Sequence, residues 1–137
     1  MSTLKERQDE FLETFSCFDA WYEKFNYFIE LSDMLPKDCS PELLPFRVLS
    51  CQSRTFFRAW IEDGCLRVNG WSNATTQRGI IVSMIEMFDR VPLSELTTGN
   101  DIYFHEKSGL INNLTSLRKE GLKEMINRIL VLYRGNE

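Results

Sequence analysis

The sequence predicts an α+β fold in two layers, with a small antiparallel sheet and helices packed on one side of it. Three observations predict this class. Apolar residues recur at helical spacing near both ends, the middle of the chain alternates in the manner of strands, and Asp63-Gly64 divides the alternating part as a hairpin turn. Strands and helices do not alternate along the chain, which excludes a doubly wound parallel sheet. The 137 residues suit one domain over 1–137.

Two helices are predicted between Leu4 and Leu35. We expect Asp19 to cap the second one and Pro36 to end it, because an aspartate accepts hydrogen bonds at a helix start and proline cannot continue a helix. The apolar stripes consist of Phe11, Leu12 and Phe15 on the first helix, and of Trp21, Phe25, Phe28 and Ile29 on the second.

An irregular connection and a hairpin form the middle of the chain. Pro36, Pro41 and Pro45 make Leu35–Ser50 an irregular segment, and long loops in compact domains are often functional. Ser53–Glu62 then alternates as the first strand of the hairpin. One face of the hairpin is predicted to carry Phe57, Ala59 and Ile61, with Leu66 and Val68 from the return strand; the outer face is predicted to carry Phe56, Arg58, Trp60 and Trp71.

Helices are predicted again after the hairpin. The first runs over Thr75–Asp89, with Ser72 or Asn73 as its cap. Pro92 begins a short turn or helix, and the last helix runs over Ser116–Tyr133. The apolar stripes consist of Ile80, Ile81, Met84, Ile85 and Phe88 on the first of these helices, and of Leu122, Met125, Ile126, Ile129, Leu130 and Tyr133 on the last.

Composition and charge exclude several classes of protein. The net charge of −4 disfavours nucleic acid as a partner, and the acidic excess lies in residues 1–46. No apolar stretch approaches the roughly 20 residues of a membrane helix, and the first ten residues contain no signal-peptide core. A cytoplasmic protein with four free thiols is therefore expected. With wide cysteine spacing and one histidine, no metal site is predicted.

Cys51 is the main candidate for chemistry. It lies where the proline-rich connection meets the first strand, and functional side chains concentrate in such loops. Arg47 and Arg54 flank it and are expected to stabilise a thiolate, and Gln52 and Ser53 are polar neighbours. A free cysteine beside a strand is also often a small buried hydrophobe. From the residues alone, an inert and a reactive Cys51 both remain open.

The remaining thiols and the single histidine are weaker candidates. Cys17 lies among aromatic residues and is expected in the core, Cys65 at the hairpin turn, and Cys39 in the proline-rich loop with some exposure. A Cys51–His105 pair would form the nucleophile and base of a cysteine hydrolase. We instead expect His105 to be a partly buried residue beside Glu106, because the sequence shows no third orienting group and no oxyanion motif.

The segment around Cys51 resembles the Gly-Cys-Gln-Ser motif of the SufE family of cysteine desulfuration proteins. Further segments resemble the family in the same order, so that the likeness covers nearly the whole chain. The matching segments are Leu49-Ser50-Cys51-Gln52-Ser53-Arg54, Ser72-Asn73-Ala74 with Arg78-Gly79, Glu106-Lys107 with Leu110, and Leu114-Thr115-Ser116-Leu117-Arg118 with Gly121-Leu122.

The resemblance implies a fold like that of the iron–sulfur scaffold proteins, described as SufE/IscU-like. It implies that Cys51 accepts persulfide sulfur from a SufS-like cysteine desulfurase, stimulates that enzyme and passes sulfur to a SufB-like scaffold. Pyridoxal phosphate would belong to the desulfurase, and this chain would need no cofactor and be no enzyme itself. The residues placed near the sulfur site or the docking surface are Ser50, Gln52, Ser53, Arg54, Asn73 and Arg118.

The chain departs from the family pattern at several positions. Ser50 replaces the motif glycine, and we expect strain there if that position has a positive φ. Asn73 replaces an aspartate, and Leu117 replaces a serine. Thr76 and Gln77 stand where the family is apolar. An alternative function is an interaction module whose acidic N-terminal helices dock a partner while Cys51 stays buried. A monomer and a weak homodimer are both open.

Overall fold

The computed structural model describes residues 3–96 and 101–134. Across these two ranges it confirms the α+β class, with six α-helices and a three-stranded antiparallel sheet. No helix within these residues is long and apolar enough to cross a membrane. The helices are α1 Leu4–Ser16, α2 Trp21–Leu31, α3 Thr75–Phe88, α4 Phe104–Lys107, α5 Leu110–Asn113 and α6 Ser116–Arg134, and the strands are β1 Thr55–Glu62, β2 Cys65–Ser72 and β3 Val91–Pro92.

The predicted hairpin is confirmed. Its two strands pair in register from Thr55 opposite Ser72 to Glu62 opposite Cys65. Asp63 and Gly64 both have positive φ, which a tight two-residue hairpin turn requires. The sequence missed β3, which pairs with the start of β2, because it has only two residues and one of them is a proline. Proline lacks the amide that a ladder uses, so it gives no strand signal.

The helices pack on one face of the sheet, as predicted. Helix α3 lies against β2 and crosses α2, while α6 lies along β1. The crossing of α2 and α3 is so close that a β-carbon at Gly79 would overlap the backbone of Phe28. The core between these layers contains Phe57, Leu66 and Met84, all fully buried. Burial of such side chains contributes roughly 1.5–3 kcal/mol each.

The outer face of the sheet is covered in part by the proline-rich segment. A single 3-10 turn, Pro41–Leu43, packs on both β1 and β2. Leu43 forms a second small apolar cluster with Phe56 and Trp71, which lie opposite each other across the hairpin. The indole of Trp71 donates to the carbonyl of Pro36. The predicted sharing of this face by Phe56 and Trp71 is therefore correct, and the loop shields both rings from water.

Two predicted helix caps and one predicted core cysteine are wrong. Helix α2 begins after Ala20, not Asp19, and has no side-chain cap. Helix α3 begins after Ala74 and has no side-chain cap; the Ser72 hydroxyl accepts from the amide of Ala74, which forms a local turn, and also bonds the Thr55 hydroxyl. Cys17 is exposed just after α1, because it follows the buried Phe15 by two residues and so lies on the opposite side of the helix turn.

Candidate functional site

Cys51 lies near the tip of a short loop closed by backbone pairing. Arg47 forms a bridge with Phe56, and the amide of Val48 donates to the carbonyl of Thr55. Within this loop the amide of Cys51 donates to the carbonyl of Val48. Residues 48–54, which we call the cysteine loop, are therefore held at their base by β1. This explains why a segment without regular structure presents Cys51 at a defined place.

The sulfur of Cys51 points inward, between α3 and α6. A β-carbon at Gly121 on α6 would overlap it, so only glycine leaves room for the thiol there. The side-chain amide of Gln77 on α3 lies 3.6 Å from the sulfur, with Nε2 as the donor. Thr55 forms a further hydrogen bond with the thiol. Three different elements thus position this one atom.

A cavity of about 340 Å³ opens beside the thiol. It is larger than one water molecule needs, so it has room for an added sulfur atom and part of a ligand. Arg118 stands exposed at its rim, while Gln77 is buried in its wall. The lining consists of Cys51, Gln52, Ser53, Ala74, Gln77, Thr115, Leu117 and Arg118.

Burial raises the pKa of the Cys51 thiol above its ordinary value. The hydrogen bond with Thr55 acts in the opposite direction but does not compensate for burial. Among the charges, Glu124 raises the pKa of Cys51, and Arg118 and Arg128 lower it. At neutral pH the resting residue is therefore mostly a protonated, weakly nucleophilic thiol.

Glu124 and Arg128, one turn apart on α6, hold the loop in place. The Glu124 carboxylate accepts hydrogen bonds from the amides of Leu49 and Ser50 and from the Ser50 hydroxyl, the last at 2.6 Å. Arg128 forms an ion pair with Glu124 and donates to the carbonyls of three residues that border the loop base, Phe46, Arg47 and Phe57. Sequence reasoning missed both residues, because a Glu–Arg pair four apart normally indicates a solvated helix face.

The predicted site residues are only partly brought together. Gln52, Ser53 and Arg118 line the cavity beside Cys51, and Ser50 is its loop neighbour. Arg47 and Arg54 do not act as expected: both guanidinium groups lie over the ring of Phe56, on the outer sheet face. Arg54 lowers the pKa of Cys39 instead, against the stronger raising effect of burial. The cations that act on Cys51 come from α6.

Two of the departures from the family pattern, Ser50 and Asn73, have different consequences. Ser50 is not strained, because Asp63 and Arg90 are the only non-glycine residues with positive φ among the described residues. Its hydroxyl instead bonds Glu124. Asn73 joins the hairpin rather than α3, since its backbone amide and side-chain oxygen each pair with the backbone of Arg54 at 3.0 Å. Asn73 thereby fixes the end of the cysteine loop.

His105 does not line the cavity of Cys51. It lies on α4, mostly buried, with its ring against Phe104 and its Nε2 atom 3.6 Å from Glu106. Burial lowers the pKa of His105. This is the partly buried histidine that the sequence predicts, and a Cys51–His105 dyad is not formed. Within residues 3–96 and 101–134, no three His, Cys, Asp or Glu side chains gather as a metal site.

A comparison with protein families matches residues 9–132 to the SufE family, described as an Fe–S metabolism associated domain. The chain belongs to the SufE family. The match spans the cysteine loop, the hairpin and nearly all of α6, so the SufE domain includes every element that surrounds Cys51. Membership associates the chain with Fe–S metabolism, as the resemblance predicts.

Relatives with curated sequences support the same family. An uncharacterized SufE-like protein of Rhizobium meliloti is 32% identical over 128 residues, covering 88% of this chain and 90% of that protein. One of Rhizobium etli is 28% identical over 126 residues, covering 88% and 85%. The solution structure of a hypothetical protein from Thermus thermophilus has a similar fold, with a TM-score of 0.71 over 94% of each chain at 21% identity.

Proposed function

We propose that this SufE protein carries sulfur as a persulfide on Cys51, taking it from a pyridoxal-phosphate-dependent cysteine desulfurase and passing it toward Fe–S cluster assembly. One observation carries the proposal. The only thiol that lines the cavity of about 340 Å³ is Cys51, and it is the cysteine in the family motif. An inert structural cysteine needs no such space beside its sulfur.

The transfer step is an exchange between a thiolate and a persulfide. The Cys51 thiolate attacks the outer sulfur of the donor persulfide, a new S–S bond forms on Cys51, and the S–S bond to the donor cysteine breaks. The donor cysteine leaves as a thiolate, and its electron pair stays with it. No net oxidation occurs. The step needs an accessible thiolate on this chain and no metal or cofactor of its own.

The cavity supplies what a persulfide needs after transfer. Arg118 at the rim is a cation near the site of the anionic outer sulfur. Gln77 is 1% exposed, its Nε2 already faces the thiol, and its Oε1 atom has no hydrogen-bond partner among the described residues. A buried amide with spare hydrogen-bonding capacity can serve a polar guest.

The cysteine loop and the adjoining rim of the cavity together have the character of a docking surface. Leu49 in the cysteine loop is 84% exposed, and Leu117 beside Arg118 is 45% exposed. Exposed large apolar side chains next to a basic residue are common where a protein partner binds. We assign this rim to the desulfurase, because the partner must reach Cys51 to deliver sulfur.

Stimulation of the desulfurase tests the proposal. Cysteine turnover by the organism's own desulfurases is measured with this chain, with Cys51→Ser, and with Cys39→Ser as the matched control. The carrier predicts that Cys51→Ser loses stimulation while Cys39→Ser keeps it. Normal stimulation by Cys51→Ser would contradict sulfur transfer and leave the alternative of a non-carrying adaptor.

A further inference from the structure

Ser50 in the cysteine loop forms hydrogen bonds with Glu124 on α6 through both its amide and its hydroxyl. Glu124 accepts three hydrogen bonds from two adjacent residues of the loop, from the amides of Leu49 and Ser50 and from the Ser50 hydroxyl. Hydrogen bonds to a charged acceptor are stronger than those between neutral groups. Both partners are half-buried, which limits competition from water.

The contact controls where the sulfur of Cys51 lies. Ser50 is bonded to Cys51 in the chain, and the thiol occupies the space left by Gly121, one turn before Glu124 on the same helix. When Glu124 holds Ser50, the neighbouring thiol is pressed against α6. Moving the cysteine loop away from α6 breaks these bonds to Glu124.

We propose that Ser50 and Glu124 form a latch that keeps the cysteine loop closed and sets how often Cys51 becomes accessible. Glu124 is a positioning residue, since it acts on the thiol through Ser50. The proposal rests on the proposed function only for its purpose, which is to restrict sulfur exchange to a partner that opens the loop. The family motif has glycine at position 50. The Ser50 hydroxyl therefore adds a side-chain hydrogen bond to Glu124 that the motif glycine could not form.

Arg128 supports the latch without being part of the moving loop. It pairs with Glu124 and donates to the carbonyls of Phe46, Arg47 and Phe57, which flank the loop. The carboxylate is therefore fixed on one side by a guanidinium that is anchored to β1. Because removing Arg128 would disturb several backbone contacts, it is unsuited to a test of the latch.

Alkylation of Cys51 in the full chain, without any desulfurase, tests the latch. The native protein is treated with N-ethylmaleimide, and the labelling rate of each cysteine is read by peptide mass. The variants are Ser50→Ala, Glu124→Gln, the double variant and Ser50→Thr. Glu120→Gln is the control, since Glu120 is exposed on the same helix and its ion pair is with Lys123, away from the cysteine loop.

The latch predicts that Ser50→Ala and Glu124→Gln each label Cys51 about tenfold faster, the scale of a lost hydrogen bond to a charged group. Ser50→Thr and Glu120→Gln label like the unchanged chain. The double variant is accelerated by less than the product of the two single effects, because the two residues act through one contact. Ser50→Ala changes no charge, so its effect cannot come from thiol ionisation.

Three results would overturn the latch. The single variants could label Cys51 at the control rate, or the double variant could show the full product. Alternatively Cys39 and Cys65, both half-buried, could accelerate together with Cys51, which would indicate global unfolding. None of these depends on sulfur transfer, so the latch and the carrier role fail separately.

Discussion

The sulfur of Cys51 lies directly against Gly121 on α6, in space that the β-carbon of any other residue at position 121 would occupy. A single glycine thus determines whether the sulfur of Cys51 fits between the helices. This contact explains the family match at Gly121-Leu122, because glycine at position 121 allows the sulfur to approach the helix backbone closely and is not needed there for a turn.

Gly121→Ala should displace the Cys51 thiol from its position against α6. Alanine improves the helix propensity of α6 by about 1 kcal/mol, but the added methyl group and the sulfur cannot both occupy the present space. The cysteine loop therefore shifts outward, and Cys51 alkylates several-fold faster while the helix is retained. Residue-resolved labelling measures this, with Glu120→Ala as the control on the same helix. Unchanged labelling would show that the thiol already lies outside.

Arg118 and Arg54, which the family resemblance places near the sulfur site or the docking surface, should each affect a different cysteine. Arg118 lowers the pKa of Cys51, so Arg118→Gln raises it and slows Cys51 labelling at pH 7 by a factor of about two or three, as expected for a water-screened charge. Arg54→Gln slows the labelling of Cys39 and leaves Cys51 unchanged. Labelling of both cysteines is followed against pH. The reverse assignment would contradict the described site.

The pH dependence of Cys51 labelling in the unchanged chain is set mainly by burial of the thiol. Because burial raises the pKa of the Cys51 thiol, its labelling rate keeps rising with pH beyond the ordinary thiol value of 9.0. The exposed Cys17 provides an internal reference in the same experiment.

Gln77→Leu should reduce reactivity without destabilising the fold. The change removes the Nε2 donor at the thiol, which raises the pKa of Cys51 and slows labelling. It also removes a buried oxygen without a partner among the described residues, so the free energy of unfolding stays the same or rises by about 1 kcal/mol. Urea unfolding checks the second part. A large loss of stability would mean that Gln77 is a structural residue.

Gly79→Ala tests the packing that supports the site. Its β-carbon would overlap the backbone of Phe28, which cannot move aside as a flexible side chain can. We expect a loss of about 2 kcal/mol or more in the free energy of unfolding, since overpacking outweighs the gain in helix propensity. Thr75→Ala, an exposed position on α3, is the control. Equal stability of the two variants would contradict the close crossing of α2 and α3.

The sequence predicted the hairpin, the long helices and Cys51 as the candidate, because strand alternation, helical periodicity and the motif are local signals. It could not predict the partners of Cys51. Gln77 and Gly121 lie on separate helices, and Glu124 and Arg128 have the spacing of an ordinary surface pair. Arg54 shows the converse error: it is near Cys51 in the chain, but the alternation of β1 and the bend before it place its side chain on the other face.

The intact mass of the chain after incubation with a desulfurase and cysteine tests the central claim most directly. The account predicts that the chain gains the mass of one sulfur atom, that reduction by a thiol removes it, and that peptide mapping places it on Cys51. Cys39→Ser gains it equally, and Cys51→Ser does not. A chain that gains no sulfur, or a Cys51→Ser variant that gains as much as the unchanged chain, would contradict the account.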